Sequence, residues 1–269
     1  MEVLVDAIGA VHHPYIEKAR IISFVPSITE LLFDLDLEEQ LVGRTSFCVH
    51  PKDKIDSIPT IGGTKAANIK RIKVLNATHI IVNIDENPKD MVAELQQFIP
   101  HVIVTHPNHP DDNLDLYRLL GGIFQRQQQA NALCDAFIAA RDELQNAVQH
   151  LPSRQVAYFI WKAPWMSVSS ETYIAQMLAL VKWHIVPANE KSRYPVVTWE
   201  EMEEKAELFL FSTEPYKFTQ DLITQLTDPI NNTEKHYTLI DGEMTSWYGS
   251  RAILGLQYLK HFALTLNNE

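Results

Sequence analysis

The stretch RIISFVPSITE, residues 20–30, decides the fold class of this chain. Its first six residues, Arg20 to Val25, form a short run rich in β-branched and aromatic side chains, which predicts a strand. Pro26 and Ser27 follow at once, and Glu30 stands three positions after Ser27, in the capping-box pattern that opens a helix. A strand that runs directly into a helix indicates a parallel α/β sheet.

The same alternation continues on both sides of a long uninterrupted segment. In the first half, strands are predicted at 41–45, 78–83 and 101–106, and helices from Asn68, over 88–98 and up to about Gly121. Beyond Pro152, strands are predicted at 155–161, 207–212 and 236–241, and helices over 171–181, from a second capping box at Thr198 and Glu201, and from about Ser250. Each half therefore predicts its own parallel sheet.

The segment between the halves predicts one long helix. No proline interrupts the chain from Gly122 to His150, and apolar residues recur there at helical spacing. A helix of this length spans roughly 40 Å. We predict an α/β fold of two Rossmann-like lobes, 1–121 and 152–269, joined by one backbone helix over 122–151, with a ligand cleft between the lobes.

The loops that follow the predicted strands carry most of the chemically unusual residues. In open parallel α/β sheets, ligands bind beyond the carboxyl ends of the strands. Three of the five tryptophans lie in these loops, which indicates a surface for a flat or conjugated ligand, although the same rings can cap the lobe cores. The candidate residues in these loops are Phe47, Cys48, His50, Asp85, Glu86, Asn87, His106, His109, Trp161, Trp165, Glu214, Tyr216, Glu243, Trp247, Tyr248 and Arg251.

The stretch TSFCVHP, residues 45–51, has three interpretations. Cys48 and His50 can both face one metal ion, but a stable site needs three or four ligands and no second cysteine lies nearby. They can also form a nucleophile and its base, but no orienting acid or oxyanion hole is identifiable. The favoured interpretation is a small buried thiol beside a loop imidazole. The metal ligands, if there are any, stay unknown from the sequence.

Three other polar motifs are weaker. His106 and His109 stand close to Asp111 and Asp112, and the intervening prolines favour an extended loop that enters a helix over a metal site. Gly62-Gly63-Thr64-Lys65 lacks the spacing and the ending of a phosphate-binding loop. The run Asp85-Glu86-Asn87 fits a helix start and a polar ligand patch equally well.

Composition excludes several classes of partner. The chain has 34 acidic and 23 basic residues, a formal net charge of −11, so nucleic acid and anionic membranes are poor partners. No apolar run is long enough to insert in a bilayer, and two cysteines imply no disulfide framework. The first residues carry acids and no basic segment, unlike a signal peptide, so we expect a cytoplasmic protein if Met1 is the true start.

Several segments together resemble one family. They are RIISFVPSITELLF, VGRTSFC, IGGTK, NIKRIKVLNATHIIVN and SWYGSRAILGLQYL, and they extend from about residue 20 to 264. The chain resembles the cobalamin-binding, helical-backbone class of substrate-binding proteins of ABC transporters, whose members are usually periplasmic or surface-anchored. The resemblance implies two lobes bridged by one long helix and a corrinoid, haem or iron chelate as the bound ligand.

The resemblance also implies roles for individual residues. The aromatic positions that would lie against a macrocycle are Phe47, Trp165, Trp247 and Tyr248, and the polar positions that would meet its amide or carboxylate edges are Lys65, Glu86 and Arg251. Transport members usually carry a permease-docking glutamate where this chain has Lys70, and Glu200 or Glu201 corresponds to the other docking acid. The change of sign at Lys70 makes a transport role doubtful.

We therefore predict a binding protein that holds a corrinoid, haem or iron chelate without catalysis. Its ligand-binding residues are predicted to be Phe47, Cys48, His50, Lys65, Glu86, Trp165, Tyr216, Trp247, Tyr248 and Arg251. One alternative is an exported receptor that delivers its ligand to an ABC permease. Another is a cytoplasmic enzyme that modifies a cofactor with Cys48, His50 and Glu86, and a third is a ligand-dependent regulator that contacts another protein.

Overall fold

A computed structural model describes residues 3–186, 191–227 and 235–268. The chain divides into two compact units. The first comprises the residues up to Pro107, Asp111–Phe137 and Tyr248–Arg251. The second comprises Asn108–Pro110, Ile138–Trp247 and the residues from Ala252 onward. The predicted cleft depends on how the two units are placed relative to one another, and it stays a prediction.

The first unit is built on a four-stranded parallel sheet with the order β4-β3-β5-β6, preceded by an antiparallel pair, β1 and β2. Its strands are β1 Leu4–Val5, β2 Val11–His12, β3 Ile21–Ser23, β4 Leu41–Arg44, β5 His79–Asn83 and β6 His101–Thr105. Its helices are α1 Pro26–Asp34, α2 Ile69–Val74, α3 Lys89–Leu95 and α4 Asp112–Ile123. The parallel sheet predicted from strand–helix alternation is confirmed.

The second unit is built on a parallel sheet with the order β10-β9-β7-β8. The helix α5, Gln127–Val148, begins in the first unit and ends in the second. The strands that follow it are β7 Arg154–Phe159, β8 Trp183–Ile185, β9 Leu208–Ser212 and β10 His236–Ile240, and the helices are α6 Tyr173–Ala179, α7 Trp199–Lys205, α8 Gln220–Thr227, α9 Gly242–Ser246 and α10 Arg251–Asn268. Two parallel α/β units are thus present, as predicted.

The starts of three helices test the capping patterns. Asn68 caps α2 by accepting the backbone N–H of Arg71, at 3.1 Å, and Thr198 caps α7 in the same way. The capping box predicted at Ser27 is wrong, because α1 already begins at Pro26 and Ser27 is buried inside its first turn. Proline at the first position needs no N–H partner, so this helix starts without a side-chain cap.

The long helix begins later than predicted. Helix α4 continues through Gly122 to Ile123, and a break follows in which Gln125 takes a left-handed φ of 56°. At Gly121 an added Cβ would lie 2.4 Å from the Cβ of Ala130, so the ends of α4 and α5 meet at van der Waals distance. The helix predicted over 122–151 therefore spans Gln127–Val148, since close packing at Gly121 forces the turn.

Candidate functional site

All strands within each of the two four-stranded sheets are parallel, so their carboxyl ends share one edge of that sheet. In the first unit this edge carries the loops that follow β3 to β6. In the second unit it carries the loops that follow β7, β9 and β10. The candidate residues predicted from the sequence lie in these loops or directly beyond them, and each edge is described by itself.

Cys48 is fully buried in the loop that follows β4. Its thiol accepts a hydrogen bond from the Thr29 hydroxyl at 3.0 Å and lies 3.2 Å from the hydroxyl of Thr45. Burial raises the pKa of this thiol, and the hydrogen bonds from Thr29 and Thr45 only partly offset that effect. The favoured interpretation of Cys48 as a buried packing residue agrees with this environment, whereas a thiolate ligand or nucleophile does not.

Phe47, next to Cys48, has the opposite environment. Its side chain is 60% exposed, and one ring carbon, Cε2, lies 3.4 Å from where a Cβ on Gly63 would stand. The side-chain amide of Asn87 donates to the backbone oxygen of Thr64 at 2.9 Å. These contacts bring the loops after β4 and β5 together with the Gly62–Lys65 segment, and Lys65 is exposed on that segment. The edge thus presents an exposed aromatic ring and, on the segment that this ring contacts, an exposed lysine.

Glu86 and Tyr248 form a second polar element of the first unit. The Tyr248 hydroxyl donates to Glu86 Oε1 at 2.8 Å, and only 7% of Tyr248 is exposed. Burial, followed by the charge of Glu86, raises the pKa of the Tyr248 phenol well above its usual value. Tyr248 therefore stays a hydrogen-bond donor at neutral pH and orients the half-buried carboxylate of Glu86.

Arg251 lies deeper than the sequence indicated. Its guanidinium forms two hydrogen bonds to Glu30, Nε to Oε2 at 2.7 Å and Nη2 to Oε1 at 2.6 Å. The two side chains are only 7% and 15% exposed. The predicted contact between Arg251 and a ligand carboxylate would have to compete with this bidentate ion pair.

The histidine-containing loops show no cluster suited to a metal. His50 is half-buried, and His106 Nε2 lies 3.4 Å from Asp85 Oδ1. Helix α4 begins at Asp112, so Asp111 and Asp112 stand at the helix entry, where the sequence predicted them. Over the described ranges, three or more His, Cys, Asp or Glu side chains nowhere come together as metal ligands.

In the second unit, an exposed indole stands at the end of β7. Trp161 is 41% exposed, and its ring meets the edge of the half-buried Tyr216 ring at a centroid distance of 5.4 Å. Tyr216 in turn contacts the buried ring of Phe218 at 4.6 Å. Core packing therefore supports this aromatic pair, while a large part of Trp161 stays exposed to solvent.

Trp165 belongs to an aromatic cluster that extends into the core. Its ring lies 5.0 Å from Phe159, 5.5 Å from Trp199 and 6.1 Å from Phe218, measured between centroids. The ammonium of Lys162 lies 5.8 Å from the Trp165 ring. Part of this indole thus caps the core of the second unit, the alternative that the sequence left open.

Trp247 anchors a buried carboxylate. Its indole N–H donates to Glu214 Oε1 at 2.8 Å, the Ser246 hydroxyl donates to the same oxygen at 3.2 Å, and Trp247 is 9% exposed. Burial raises the pKa of Glu214, and repulsion from Glu243 adds to that effect, whereas the Trp247 hydrogen bond lowers it. Most of the Trp247 side chain is therefore packed against protein.

Two functional features escaped the sequence analysis. The pairing of Trp161 with Tyr216 joins residues 55 positions apart along the chain, and the ion pair of Glu30 with Arg251 joins residues 221 positions apart. The loop positions of Trp161 and Tyr216 marked them as candidates, but nothing in the pattern paired them. No local signal connected Glu30 to Arg251.

Comparison with known proteins identifies the family. The family model described as periplasmic binding protein matches residues 21–227. This chain belongs to the periplasmic binding protein family. The match runs from β3 to the end of α8, so it covers the whole first parallel sheet and every strand of the second except β10. No curated protein sequence matches the chain.

Solved periplasmic binding proteins share the fold of the whole chain. The periplasmic vitamin B12 binding protein BtuF of Vibrio cholerae superimposes with a TM-score of 0.80 at 15% identity, over 94% of this chain and 99% of that one. The periplasmic haem-binding protein RhuT of Roseiflexus sp. RS-1 gives 0.79 at 19% identity, over 93% and 99%. IsdE of Staphylococcus aureus, solved with haem, gives 0.74 at 17% identity, over 90% and 98%.

Across the described ranges, no helix combines the length and the apolar content that crossing a bilayer requires.

Proposed function

We propose that this protein binds a corrinoid, haem or iron chelate on the loops at the carboxyl edges of its sheets, without chemical change to the ligand. The observation that carries the proposal is the exposure of two aromatic side chains at these edges, Phe47 at 60% and Trp161 at 41%. The chain belongs to a family of binding proteins, which makes a ligand surface the natural role for such rings. Exposed aromatic rings next to a few polar groups suit a flat, conjugated ligand. The names of the similar structures, a vitamin B12 binding protein and a haem-binding protein, support this ligand class.

The polar groups of the first unit suit the periphery of such a ligand. Lys65 is exposed near Phe47, and Glu86 is held in place by Tyr248 at 2.8 Å. A lysine attracts carboxylates, and an oriented carboxylate accepts hydrogen bonds from amides. Corrinoid side chains carry amides and haem carries carboxylates, so both ligand types remain within the proposal.

A cofactor-modifying enzyme is less well supported. That alternative needs Cys48 as a nucleophile, yet its thiol is fully buried, accepts a hydrogen bond from Thr29 and has a raised pKa. Nucleophilic cysteines instead lie in accessible surroundings that lower the thiol pKa. The Glu86 carboxylate accepts a hydrogen bond from the Tyr248 hydroxyl, which orients it. An oriented carboxylate suits ligand binding.

Absorption spectroscopy tests the proposal directly. The purified protein is mixed with haemin, cyanocobalamin and a ferric siderophore in turn, and the spectra and the heats of titration are recorded. We expect a saturable shift or heat at one ligand per chain for at least one of the three. Failure of all three to saturate would overturn the proposal. Conversion of the bound ligand to another species would favour the enzyme.

Two substitutions locate the binding surface. Phe47→Ala and Trp161→Ala are each expected to weaken ligand binding by about 1 to 3 kcal/mol, roughly 5- to 150-fold in Kd, because they remove aromatic burial. Val74→Ala is the control, since Val74 is 73% exposed at the end of α2, shortly before β5 begins and therefore near the amino ends of the strands. Equal affinity in all three variants would show that the ligand binds elsewhere.

If the protein is an exported receptor, we propose that it also docks onto an ABC permease. Lys70 is exposed in the first turn of α2, and Glu201 in α7 pairs with Lys205 at 3.2 Å. Co-purification with membrane proteins, with and without ligand, tests for such a partner, and Lys70→Glu should strengthen docking to a basic permease surface. The location of the protein stays a prediction, which cell fractionation tests.

A further inference from the structure

The first unit contains a recess that lies apart from the carboxyl-edge loops. Its volume is about 560 Å³, and it is enclosed by the β1–β2 hairpin with the turn after it, by α4 and by the first turn of α5. The lining residues include none from the loops after β3 to β6. This volume falls within the range of about 300 to 1,000 Å³ that is typical of small-molecule sites.

The hairpin wall of the recess is firmly anchored. Leu4 packs so closely on α4 that a Cβ added at Gly122 would lie 2.5 Å from the Leu4 side chain. Asp6 accepts the backbone N–H groups of Ala10 at 2.9 Å and Val104 at 3.0 Å, which joins the hairpin to β6. Because both ends of this wall are held, the recess is preformed.

The polar part of the lining is basic. Two imidazoles, His12 and His13, and the guanidinium of Arg118 line the recess with the carboxamides of Gln127 and Asn131, and no Asp or Glu is among the lining residues in the described part of the chain, which begins at residue 3. The chain as a whole has a net charge of −11, so a recess whose described lining combines one arginine with two histidines contrasts with its overall composition. This arrangement favours an anionic ligand.

Two carboxylates, those of Asp6 and Asp115, contact the basic groups of the recess, and both contacts still allow an anion to bind. Asp6 lies behind His12, with its Oδ2 3.1 Å from His12 Nε2, and its side chain is fully buried. It therefore orients the imidazole. Arg118 pairs with Asp115 at 3.3 Å, but these side chains are 42% and 88% exposed. Exposed pairs contribute only about 0 to 1 kcal/mol, so an incoming anion can compete for Arg118.

The remaining lining is apolar. Leu4 and Val11 from the hairpin, with Pro14 and Ala130, supply aliphatic surface beside the basic groups. A site with an apolar wall and a cationic group suits a ligand with a hydrocarbon body and one anionic end.

We propose that this recess binds a small carboxylate with an apolar body, independently of the ligand at the carboxyl edges. Arg118 would hold the carboxylate, with His13 and Asn131 close by, and the hairpin would cover the hydrocarbon body. The hairpin precedes residue 21, where the family match begins, so one wall of this site lies outside the matched region.

Calorimetric titration with two probes of equal chain length tests the charge preference. Octanoate and octylammonium have chains of equal carbon number, so their apolar bodies differ by a single methylene, and their end groups carry opposite charges. We expect octanoate to bind at one site per chain and octylammonium to bind at least about tenfold more weakly, since the recess is basic. Equal binding of the two probes, or no saturable octanoate binding, would overturn the proposal.

Substitutions place the probe in the recess. Arg118→Gln, which removes the charge at an exposed position, should weaken octanoate about tenfold, and Asn131→Trp should abolish its binding by filling the space. Arg71→Gln, at an exposed arginine of α2, is the matched control and should leave octanoate binding unchanged. An unchanged octanoate affinity in Arg118→Gln would contradict the assignment even if Asn131→Trp fails to fold.

The same variants separate this site from the proposed function. Titration of Arg118→Gln with haemin and cyanocobalamin should match that of the unmodified protein, because Arg118 lies outside the edge loops. Octanoate binding that disappears when the edge ligand is bound would contradict two independent sites.

Discussion

The thiol of Cys48 shows how a single side chain is controlled by its neighbours. It lies 3.0 Å from the Thr29 hydroxyl and 3.2 Å from the Thr45 hydroxyl, and it has no exposed surface. Arg44 donates to the backbone oxygen of the same residue at 3.0 Å, which fixes the turn. A buried thiol with a raised pKa is a small packing group with little thiolate at neutral pH.

We expect Cys48 to resist thiol reagents in the folded protein. With a disulfide reagent such as DTNB at neutral pH, labelling should be slow in buffer and fast in denaturant, because the thiolate forms only when the loop opens. Cys134 is also buried and its pKa is also raised, so its labelling should likewise be slow in buffer and fast in denaturant. Ser46→Cys is the control, since Ser46 is exposed in the same turn and should label at once. Rapid labelling of the unmodified protein would contradict the buried assignment.

At the scale of elements, the segment from Tyr248 to Arg251 completes the first unit. The Asn113 side chain accepts the backbone N–H of Gly249 at 2.6 Å, and the Tyr117 hydroxyl donates to the Gly249 oxygen at 2.8 Å. Gly249 has a φ of 78°, and an added Cβ would lie 3.1 Å from the oxygen of Ser27, so glycine suits this position. The start of α10 is thereby joined to α1 and α4.

Removal of the Arg251 charge should destabilise the protein. Arg251→Met leaves the mostly buried carboxylate of Glu30 without its partner, and breaking such a pair costs about 3 to 5 kcal/mol. Urea unfolding measures the loss, and the double variant Glu30→Gln/Arg251→Met should recover part of it. If Arg251→Met instead weakened ligand binding and left stability unchanged, Arg251 would be the ligand contact that the sequence predicted.

At the scale of the whole molecule, acid stability depends on a histidine stack at the start of β5 and β6. The rings of His79 and His101 stack at a centroid distance of 4.5 Å, and Tyr15 and Phe124 meet the His79 ring edge-on at 4.7 and 5.1 Å. His79 is 2% exposed, and burial, with smaller contributions from His101 and His12, lowers its pKa to about 3. The folded protein thus keeps this imidazole neutral.

The free energy of unfolding should therefore fall as pH decreases from about 6.5 toward 3. Between these values the unfolded chain binds a proton at His79 that the folded chain does not, so stability is lost at up to ~1.4 kcal/mol per pH unit. The contribution is fully present above pH 6.5. Urea unfolding of the unmodified protein and of His79→Gln at several pH values measures it, since the difference isolates His79. A difference that does not vary with pH would contradict the buried neutral state.

Much of the fold could be predicted because hydrophobic pattern and helix-start chemistry are local. The strands around Ile21–Ser23, His79–Asn83 and Leu208–Ser212 are continuous buried runs, which the sequence shows directly. Strand β8, Trp183–Ile185, was missed because its central residue, His184, is exposed and interrupts the apolar run. The break before α5 was missed because Gln125 adopts positive φ without a glycine or proline to signal it.

The sequence by itself determined two parallel α/β sheets, the loops that follow their strands and the aromatic content of those loops, because these depend on neighbouring residues. Only the tertiary structure decided which loop side chains are exposed. Phe47 and Trp161 reach solvent, while Cys48, Trp247 and Arg251 contact protein groups up to 221 positions away in the chain. Burial and ion pairing depend on distances in space, and no local pattern encodes contacts between residues so far apart.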